Sequence, residues 1–409
     1  MTCDLDALIE DFFDGQTPSR LGVAVSGGSD STALLTLLHR FCAARGIELF
    51  CATVDHGLRA EAKNEAESVA GLCAFLQVPH DTLTWSNWDG KGNVQSAARQ
   101  ARYRLLAGWA QRMQVDHVAL GHTLDDQAET VLMRLARGAG VDGLSAMAKR
   151  RRQHGVMWLR PLLSVERSRL RDFLEIEGVT WSDDPSNEDS RFDRIKIRQS
   201  WDALATLGIT PAALAQVADN MGSAREALLL QTQDAAAQYA EVKAGAVRIS
   251  SSAFVDLPEE IARRLILSAL SWVNSAIYAP RSRSLRAAMR ALTDDGSATL
   301  DGCHLRRVKD AIWIFREYNA VKDVVVPVGD IWDNRWIVQG AEMVNDYHVS
   351  ALGETGLAAC PAWRDSGLPR DVLLVTPAVW NDCALVAAPA LESQSDWHAE
   401  LTKPEMWFL

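Results

Sequence analysis

The chain has 409 residues, enough for two or three domains, and its 48% hydrophobic and 23% charged residues are typical of a folded globular protein. These values exclude a chain that is disordered throughout. No stretch approaches the ~20 apolar residues that a membrane-spanning helix requires, and the acidic start of the chain is unlike a signal peptide. We therefore expect a cytoplasmic protein that does not contact a membrane.

Cysteine spacing and overall charge narrow the function classes further. The seven cysteines are an odd number and none forms a Cys-x-x-Cys pair, which disfavours a disulfide framework and a cysteine-based metal or redox site. The net charge of −11 by itself disfavours nucleic acid as a partner. Lys and Arg nevertheless outnumber Asp and Glu by 14 to 10 within residues 131–200 and by 7 to 3 within 281–309.

The first half of the chain alternates predicted strands and helices. A short apolar strand at 21–25 is followed by a glycine- and serine-rich loop at 26–31 and by helical spacing over 32–44. Further strands are predicted at 47–54, 80–85 and 115–121, and further helices at 61–77, 94–113 and 124–138. This alternation predicts an α/β domain over residues 1–209, with a parallel sheet covered on both faces and functional residues at the carboxyl ends of strands.

The second half has a different pattern. Ala- and Leu-rich helical spacing at 211–238, 258–273 and 281–292, followed by a hairpin within 298–316, predicts a mostly helical domain over residues 210–320. Beyond it, strand-like runs at 324–328, 336–338 and 372–375 predict a small C-terminal appendix of α/β or β type over residues 321–409.

The loop at 26–31 has the chemistry of a phosphate site. Its glycines let the backbone turn, its serines offer hydroxyl groups, and the helix that follows presents its positive N-terminus. It is neither a Walker A loop nor a dinucleotide-binding Gly-x-Gly-x-x-Gly loop. An ordinary turn is the alternative, but a position directly after the first strand favours a phosphate site made by Ser26, Gly27, Gly28, Ser29, Asp30 and Ser31.

This loop resembles the Ser-Gly-Gly-x-Asp-Ser signature of the N-type ATP pyrophosphatases, the PP-loop family. Over about residues 20–200, an ordered set of further motifs resembles the tRNA(Ile)-lysidine synthetase family within it. These motifs are Val54-Asp55-His56-Gly57-Leu58-Arg59, Ala98-Arg99-Gln100-Ala101-Arg102-Tyr103, Gly121-His122-Thr123-Leu124-Asp125-Asp126-Gln127-Ala128-Glu129-Thr130, Arg137-Gly138-Ala139-Gly140, Arg160-Pro161-Leu162-Leu163 and Asp183-Asp184-Pro185-Ser186-Asn187.

The resemblance implies a ligase that splits ATP between its α and β phosphates with the help of Mg²⁺. Its RNA substrate would be the isoleucine tRNA with a CAU anticodon, whose wobble cytidine is adenylated at the C2 oxygen before L-lysine displaces AMP. ATP would be bound by the loop at 26–31 together with Asp55 and His56. The implied catalytic residues are Asp30, Arg99, Arg102, Asp126 and Glu129.

Three carboxylates follow the fourth predicted strand within about one helical turn. The spacing places Glu129 on the same face as Asp125 and Asp126, so their charges require compensation. We expect Asp30 and Asp125 to hold Mg²⁺, and Asp126 and Glu129 to bind the lysine ammonium group. For the two adjacent aspartates, simple capping of the helix N-terminus is the alternative.

The two basic segments are the predicted RNA contacts, since arginines that bind phosphates position RNA without reading its sequence. A solvated helix face is the alternative for each segment. We expect the mostly helical domain to select the tRNA. The predicted tRNA-binding residues are Arg150, Arg151, Arg191, Arg194 and Arg198 in the first segment and Arg281, Arg283 and Arg286 in the second.

Other enzymes with the same ATP chemistry remain as alternatives. A tRNA-thiolating enzyme would need sulfur-carrying cysteines, commonly Cys-x-x-Cys, and an amidotransferase-linked synthetase would need a Cys-His glutaminase site; the sequence shows neither pattern. A tRNA-binding protein without catalysis is a third alternative, which the intact loop and acidic residues disfavour. The sequence leaves open whether the chain forms a homodimer.

Overall fold

The computed structural model describes residues 5–15, 17–57, 61–86, 94–182, 193–276, 280–294, 296–340, 346–391 and 396–402. The chain divides into two compact units, residues 1–225 and 226–409. The domain boundaries predicted after residues 209 and 320 stay predictions. Within the ranges described, no helix is both long and apolar enough to cross a membrane.

The first unit is built on a parallel sheet, as predicted. Its strands run in the order β3-β2-β1-β4-β6-β5, and all are parallel except β5, which pairs antiparallel with β6. They are β1 (Arg20–Ala24), β2 (Glu48–Asp55), β3 (His80–Thr84), β4 (His117–Leu120), β5 (Arg150–Gln153) and β6 (Val156–Leu159). Because β2 and β4 flank β1 on opposite sides, the strand order reverses beside β1, and a crevice opens at its carboxyl end.

Helices cover both faces of this sheet. They begin with α1 (Leu5–Phe13), α2 (Ser29–Arg45), α3 (Glu61–Phe75) and α4 (Val94–Arg112). They continue with α5 (Leu124–Leu135), α6 (Val141–Leu144), α7 (Arg167–Glu177), α8 (Asp193–Gln199) and α9 (Trp201–Thr206). Alternate residues of β2 point to opposite faces of the sheet: Leu49 and Cys51 pack with α1, α2, α3 and α7, whereas Phe50 and Ala52 pack with α4.

A glycine after β4 lets two parts of the backbone meet. A Cβ atom on Gly121 would lie 2.9 Å from both Cα and N of Ser31, in the first turn of α2. Only a residue without a side chain fits there. The end of β4 is therefore held directly against the start of α2, and this contact brings the segment after β4 next to the loop at 26–31.

The helices and the hairpin that the sequence predicts beyond residue 210 are present. The long helix α10 (Pro211–Tyr239) contains the boundary between the units. A sheet in the order β7-β8-β11-β10-β9 follows, with helices packed against it. These elements are β7 (Ala240–Lys243), β8 (Ala246–Ser250), α11 (Ser251–Asp256), α12 (Glu259–Asn274), α13 (Ser282–Thr293), β9 (Ser297–Leu300), β10 (Cys303–Val308) and β11 (Ala311–Arg316).

The last part of the chain forms two small antiparallel sheets, ordered β12-β15-β16-β17 and β13-β14-β18. The strands are β12 (Val326–Pro327), β13 (Ile331–Trp332), β14 (Trp336–Gly340), β15 (Tyr347–Ala351), β16 (Pro377–Asn381), β17 (Ala384–Ala387) and β18 (Trp397–Leu401). The helices are α14 (Tyr318–Val321), α15 (Gly353–Ala359), a 3₁₀ helix (Pro361–Ser366) and α16 (Arg370–Leu373).

The strand predicted at 372–375 is wrong. Residues 370–373 form the short helix α16, with Pro369 at its N-cap and Asp371 in its first turn, both favourable at a helix start. Val372 and Leu373 are fully buried against the neighbouring strands and helices. The apolar run therefore indicated burial, which short helices and strands share, and did not indicate strand pairing.

Candidate active site

A cavity of about 690 Å³ lies at the carboxyl end of the parallel sheet, where the strand order reverses. The loop at 26–31, hereafter the phosphate loop, forms one wall, and the segment after β4 forms another. Its described lining comprises Ser26, Gly28, Ser29, Asp30, Ser31, Glu65, Arg102, Gly121, His122, Asp125, Asp126, Arg167, Ser168, Arg171, Ser182 and Arg198. The cavity thus combines loop hydroxyls, carboxylates and guanidinium groups.

The phosphate loop is held by its own hydrogen bonds. The Ser31 hydroxyl accepts from the backbone N–H of Ser26 at 3.1 Å and donates to the carbonyl of Gly28 at 3.1 Å. Gly27 has φ +90°, a left-handed conformation that favours glycine, whereas Gly28 has an ordinary φ of −73°. Gly28 is the N-cap of α2 and carries no capping side chain, so the first N–H groups of this helix are available to an anion in the cavity.

The two adjacent aspartates both act as caps. Asp126 and Thr123 form a capping box at the start of α5, in which the Thr123 N–H donates to Asp126 Oδ2 at 3.0 Å. Asp125 Oδ2 accepts from the backbone N–H of Arg167 at 2.8 Å, at the start of α7. Capping is therefore part of their role. Because both residues also line the cavity, capping is not their whole role.

One guanidinium connects the acidic groups. Arg167 Nε donates to Asp30 Oδ2 at 2.9 Å, its Nη2 donates to Asp126 Oδ1 at 3.4 Å, and its Nη1 lies 3.9 Å from Glu129 Oε1. Burial raises the pKa of Asp30, and Arg167 opposes this rise. Burial acts in the same direction on Asp126, but there Arg167, His122, the Thr123 N–H and Arg194 together outweigh it, and the pKa lies below its usual range.

Sequence reasoning did not identify Arg167 as a site residue. A signal was nevertheless present, because a positive charge is unfavourable at a helix N-terminus unless an anion compensates it. Arg167 opens α7, and its charge is compensated by the carboxylates of Asp30 and Asp126. His122, a residue of the motif at 121–130, also lines the cavity. Burial lowers its pKa to about 3, with Arg102 adding to the shift and Asp126 opposing it, so it is neutral at pH 7.

Glu129 lies behind the cavity wall and is fully buried. Its Oε1 accepts from Arg198 Nε at 2.6 Å, and its Oε2 is 3.9 Å from Arg194 Nε. Burial raises the pKa of Glu129, and Arg198 opposes that rise. Two arginines predicted to contact tRNA are thus partners of a buried carboxylate.

The other predicted arginines are dispersed. Arg150 donates to the carbonyl of Phe12 and lies over its ring, and Arg151 is exposed on the edge strand β5. Arg191 lies outside the described residues. In the second unit, Arg281, Arg283 and Arg286 are exposed at the start and along one side of α13, away from its buried residues.

The remaining predicted residues lie in and beside the cavity. Arg102 is part of its lining, whereas Arg99 is exposed, with its guanidinium 5.4 Å from the centre of the Tyr103 ring. Asp55 accepts from the N–H of Gly57 at 2.8 Å in the turn after β2. His56 lies edge-on to Trp85. Both lie at the carboxyl end of β2, the strand next to β1, but neither is among the described residues that line the cavity.

The sequence of this chain is similar to one protein-family model and to several known proteins. A family model described as a PP-loop domain matches residues 1–202. A tRNA(Ile)-lysidine synthase from Ruegeria pomeroyi is 50% identical over 394 residues, which cover 96% of this chain and 94% of that protein. A tRNA(Ile)-lysidine synthase from Wolbachia pipientis wMel is 37% identical over 91% of this chain and 88% of its own length.

Replacing Arg167 by Gln should leave buried carboxylates without their partner. We expect the free energy of unfolding at pH 7 to fall by about 3–5 kcal/mol, since breaking a buried ion pair leaves an uncompensated charge. Loss of the guanidinium also raises the pKa of Asp30 and Asp126, so these groups take up protons as the pH falls. The difference from the unmodified protein should therefore shrink between pH 7 and about pH 4.

Urea unfolding at both pH values measures this effect. Arg104→Gln is the matched control, because it removes the same charge from an exposed helical position outside the cavity lining. We expect it to change the free energy of unfolding by less than about 1 kcal/mol at either pH. Equal losses in both variants, or a loss that does not depend on pH, would contradict the role assigned to Arg167.

Proposed function

The chain belongs to the tRNA(Ile)-lysidine synthase family, and on that premise we propose that it uses ATP to attach L-lysine to the wobble cytidine of the isoleucine tRNA with a CAU anticodon. The C2 oxygen of the cytidine attacks the α-phosphorus of ATP, the bond to the β-phosphate breaks, and pyrophosphate leaves. The lysine side-chain amine then attacks C2, the C–O bond breaks, and AMP leaves. A protein that acts on tRNA, ATP and lysine would work in the cytoplasm.

One observation carries this proposal: the start of α2, which suits phosphate, and an acidic wall formed by Asp125 and Asp126 line the same cavity. The uncapped N–H groups of α2 suit the phosphates of ATP, and the carboxylate of Asp126 suits an ammonium group. An adenylated nucleotide bound at the start of α2 and an amine bound at Asp126 would therefore lie in the same cavity. Among the described lining residues there is no cysteine, which disfavours thiolation.

The cavity's donor set fits Mg²⁺. Asp30 and Asp125 offer hard carboxylate oxygens beside the phosphate loop, and Mg²⁺ in nucleotide sites is commonly held by one or two carboxylates together with substrate phosphates. In the part of the chain described, no group of three or more His, Cys, Asp or Glu side chains could hold a metal, so phosphate oxygens would complete the shell. When bound, the ion would neutralise phosphate charge.

Two arginines predicted as catalytic have different positions. Arg102 lies in the cavity lining, where its guanidinium can stabilise the negative charge that develops on the α-phosphate during attack. Arg99 is exposed on the preceding turn of α4. Its place suits an approaching RNA better than a bound nucleotide.

The lysine amine must lose a proton before it attacks, because its reference pKa is near 10.4. Asp126 is accessible from the cavity and can bind the ammonium group. Glu129, buried directly behind it with a raised pKa, would have to exchange one of its arginine partners for the incoming cation. We propose that Asp126 binds the ammonium group first and that Glu129 completes the lysine site.

Mass spectrometry of the RNA tests the overall reaction. Incubation of the isoleucine tRNA transcript with the protein, ATP and L-lysine should add the mass of lysine minus water to a single nucleotide. A transcript with uridine at the wobble position is the control and should gain nothing. A mass change that corresponds to replacement of oxygen by sulfur, or no change with the correct transcript, would contradict the proposal.

The lysine assignment predicts which step fails in two variants. Asp126→Asn and Glu129→Gln should still transfer labelled AMP from ATP to the tRNA, whereas transfer of lysine to that intermediate should fall by about 100-fold or more. Glu166→Gln, which removes an exposed carboxylate next to Arg167, is the control and should behave as the unmodified protein. If Glu129→Gln abolishes AMP transfer before lysine is added, the assignment is wrong.

A further inference from the structure

Two arginines outside the cavity are held in place by neutral groups of one short segment. Arg134 Nη1, from α5, donates to the carbonyls of Gly143 at 2.6 Å and Ala146 at 3.0 Å. Arg225 Nη1, from α10, donates to the Ser145 hydroxyl at 3.2 Å. The two side chains therefore lie side by side, and the groups that fix them carry no negative charge.

A third arginine is fixed in the same way next to them. Arg160 Nη1 donates to the carbonyl of Ala148 at 2.9 Å, and its Nη2 donates to the Tyr103 hydroxyl at 3.4 Å. The acceptor segment is itself clamped, because Gln127 of α5 exchanges two hydrogen bonds of 2.9 Å with the backbone of Met147. The guanidinium positions are thus built into the fold.

The exposed Arg99 lies over the ring of Tyr103, whose hydroxyl Arg160 contacts, and the exposed Arg151 is paired on the sheet with Trp158, whose ring packs edge-on to Tyr103. We call the five residues Arg99, Arg134, Arg151, Arg160 and Arg225 the arginine cluster. Burial lowers the pKa of Arg134, and the charges of Arg99, Arg151 and Arg225 lower it further. Burial likewise lowers the pKa of Arg160, with Arg99 and Arg151 adding to the shift. No member has a carboxylate within 4.0 Å in the part of the chain that the structure describes.

Like charges held together without a partner cost free energy, so such a cluster in a chain of net charge −11 implies an anion that binds to it. The cluster also lies beside the cavity, because the charges of Arg160 and Arg99 act on His122, which lines it. An RNA that delivers one base into the cavity must leave its flanking phosphates close by, and guanidinium groups bind phosphate strongly.

We propose that the arginine cluster binds the phosphate backbone of the substrate RNA next to the nucleotide that enters the cavity. This inference rests on the proposed function, since it takes tRNA as the substrate. It places the RNA contact of the first unit mainly on Arg134, Arg151 and Arg225. Arg194 and Arg198, by contrast, are engaged with the buried Glu129.

Neighbouring residues of one strand provide a matched test. Arg151 and Arg152 are both exposed on β5, but successive strand residues point to opposite faces. Arg151 belongs to the arginine cluster, whereas the charge of Arg152 acts on His117 on the other side. Arg151→Gln and Arg152→Gln therefore remove the same charge from the same strand, and neither side chain makes a hydrogen bond to any residue that the structure describes.

Binding of a labelled anticodon stem–loop RNA should be measured by fluorescence anisotropy over a series of salt concentrations. We expect Arg151→Gln to weaken binding about three- to tenfold at low salt and to reduce the slope of log K against log salt by about one. The double variant Arg151→Gln/Arg225→Gln should lose roughly twice as much of the slope. Arg152→Gln should match the unmodified protein.

The outcomes separate this proposal from the proposed function. If the unmodified protein adds lysine to the tRNA but Arg151→Gln and Arg152→Gln bind the stem–loop equally well, the arginine cluster does not contact RNA. Should the unmodified protein bind the stem–loop through the cluster and add no lysine, the proposed function fails and the RNA site stands. ATP affinity should be the same in all variants, and a change in it would contradict a role confined to RNA binding.

Discussion

The candidate site depends on the contact between the Arg167 guanidinium and the carboxylates around it. Asp30 comes from the phosphate loop, Asp126 and Glu129 come from α5, and Asp125 binds the backbone of Arg167 itself. Without a cation, bringing these groups together in a partly buried cavity would cost several kcal/mol for each charge. Arg167 thus connects the starts of α2, α5 and α7 at one point, where the parallel sheet ends.

This arrangement would let the two oppositely charged substrates of the proposed reaction share one cavity. The phosphate loop supplies N–H groups and the helix dipole for an anion, while Asp125 and Asp126 in the same cavity suit a cation. Arg167 contacts both sides, through Asp30 of the phosphate loop and Asp126 of α5. In the proposed reaction, ATP and lysine each meet a surface of opposite charge, and the adenylated nucleotide is formed where the amine can reach it.

Much of the first unit could be predicted from local sequence. The strands and helices between residues 20 and 135 follow from hydrophobic spacing, and the phosphate loop follows from its glycines and its position after β1. The pairing of Glu129 with Arg198 could not be predicted, because these residues are 69 positions apart and meet only when α8 packs on α5. Two arginines of the basic run at 149–152 also lie on opposite faces of the sheet, because Arg150 and Arg151 are successive residues of β5. Arg150 donates to the carbonyl of Phe12.

The charge of the sequence alone does not locate the proposed RNA contact. A run of arginines in sequence identifies a basic segment but not which guanidinium groups acquire carboxylate partners in the fold. Arg134 and Arg225 are separated by 91 positions, yet the carbonyls and hydroxyl of residues 143–146 hold them side by side. The uncompensated charge therefore arises from tertiary structure and becomes visible only when each arginine has been matched with its acceptor.

A double-mutant cycle between Arg167 and Asp30 measures how strongly the site depends on this ion pair. Free energies of unfolding would be measured for the unmodified protein, Arg167→Gln, Asp30→Asn and the double variant at pH 7. We expect a coupling free energy of about 1–3 kcal/mol, because each single change leaves the charge of the remaining partner uncompensated. Additivity within about 0.5 kcal/mol would show that the two residues do not depend on each other and that Arg167 does not hold the acidic groups together.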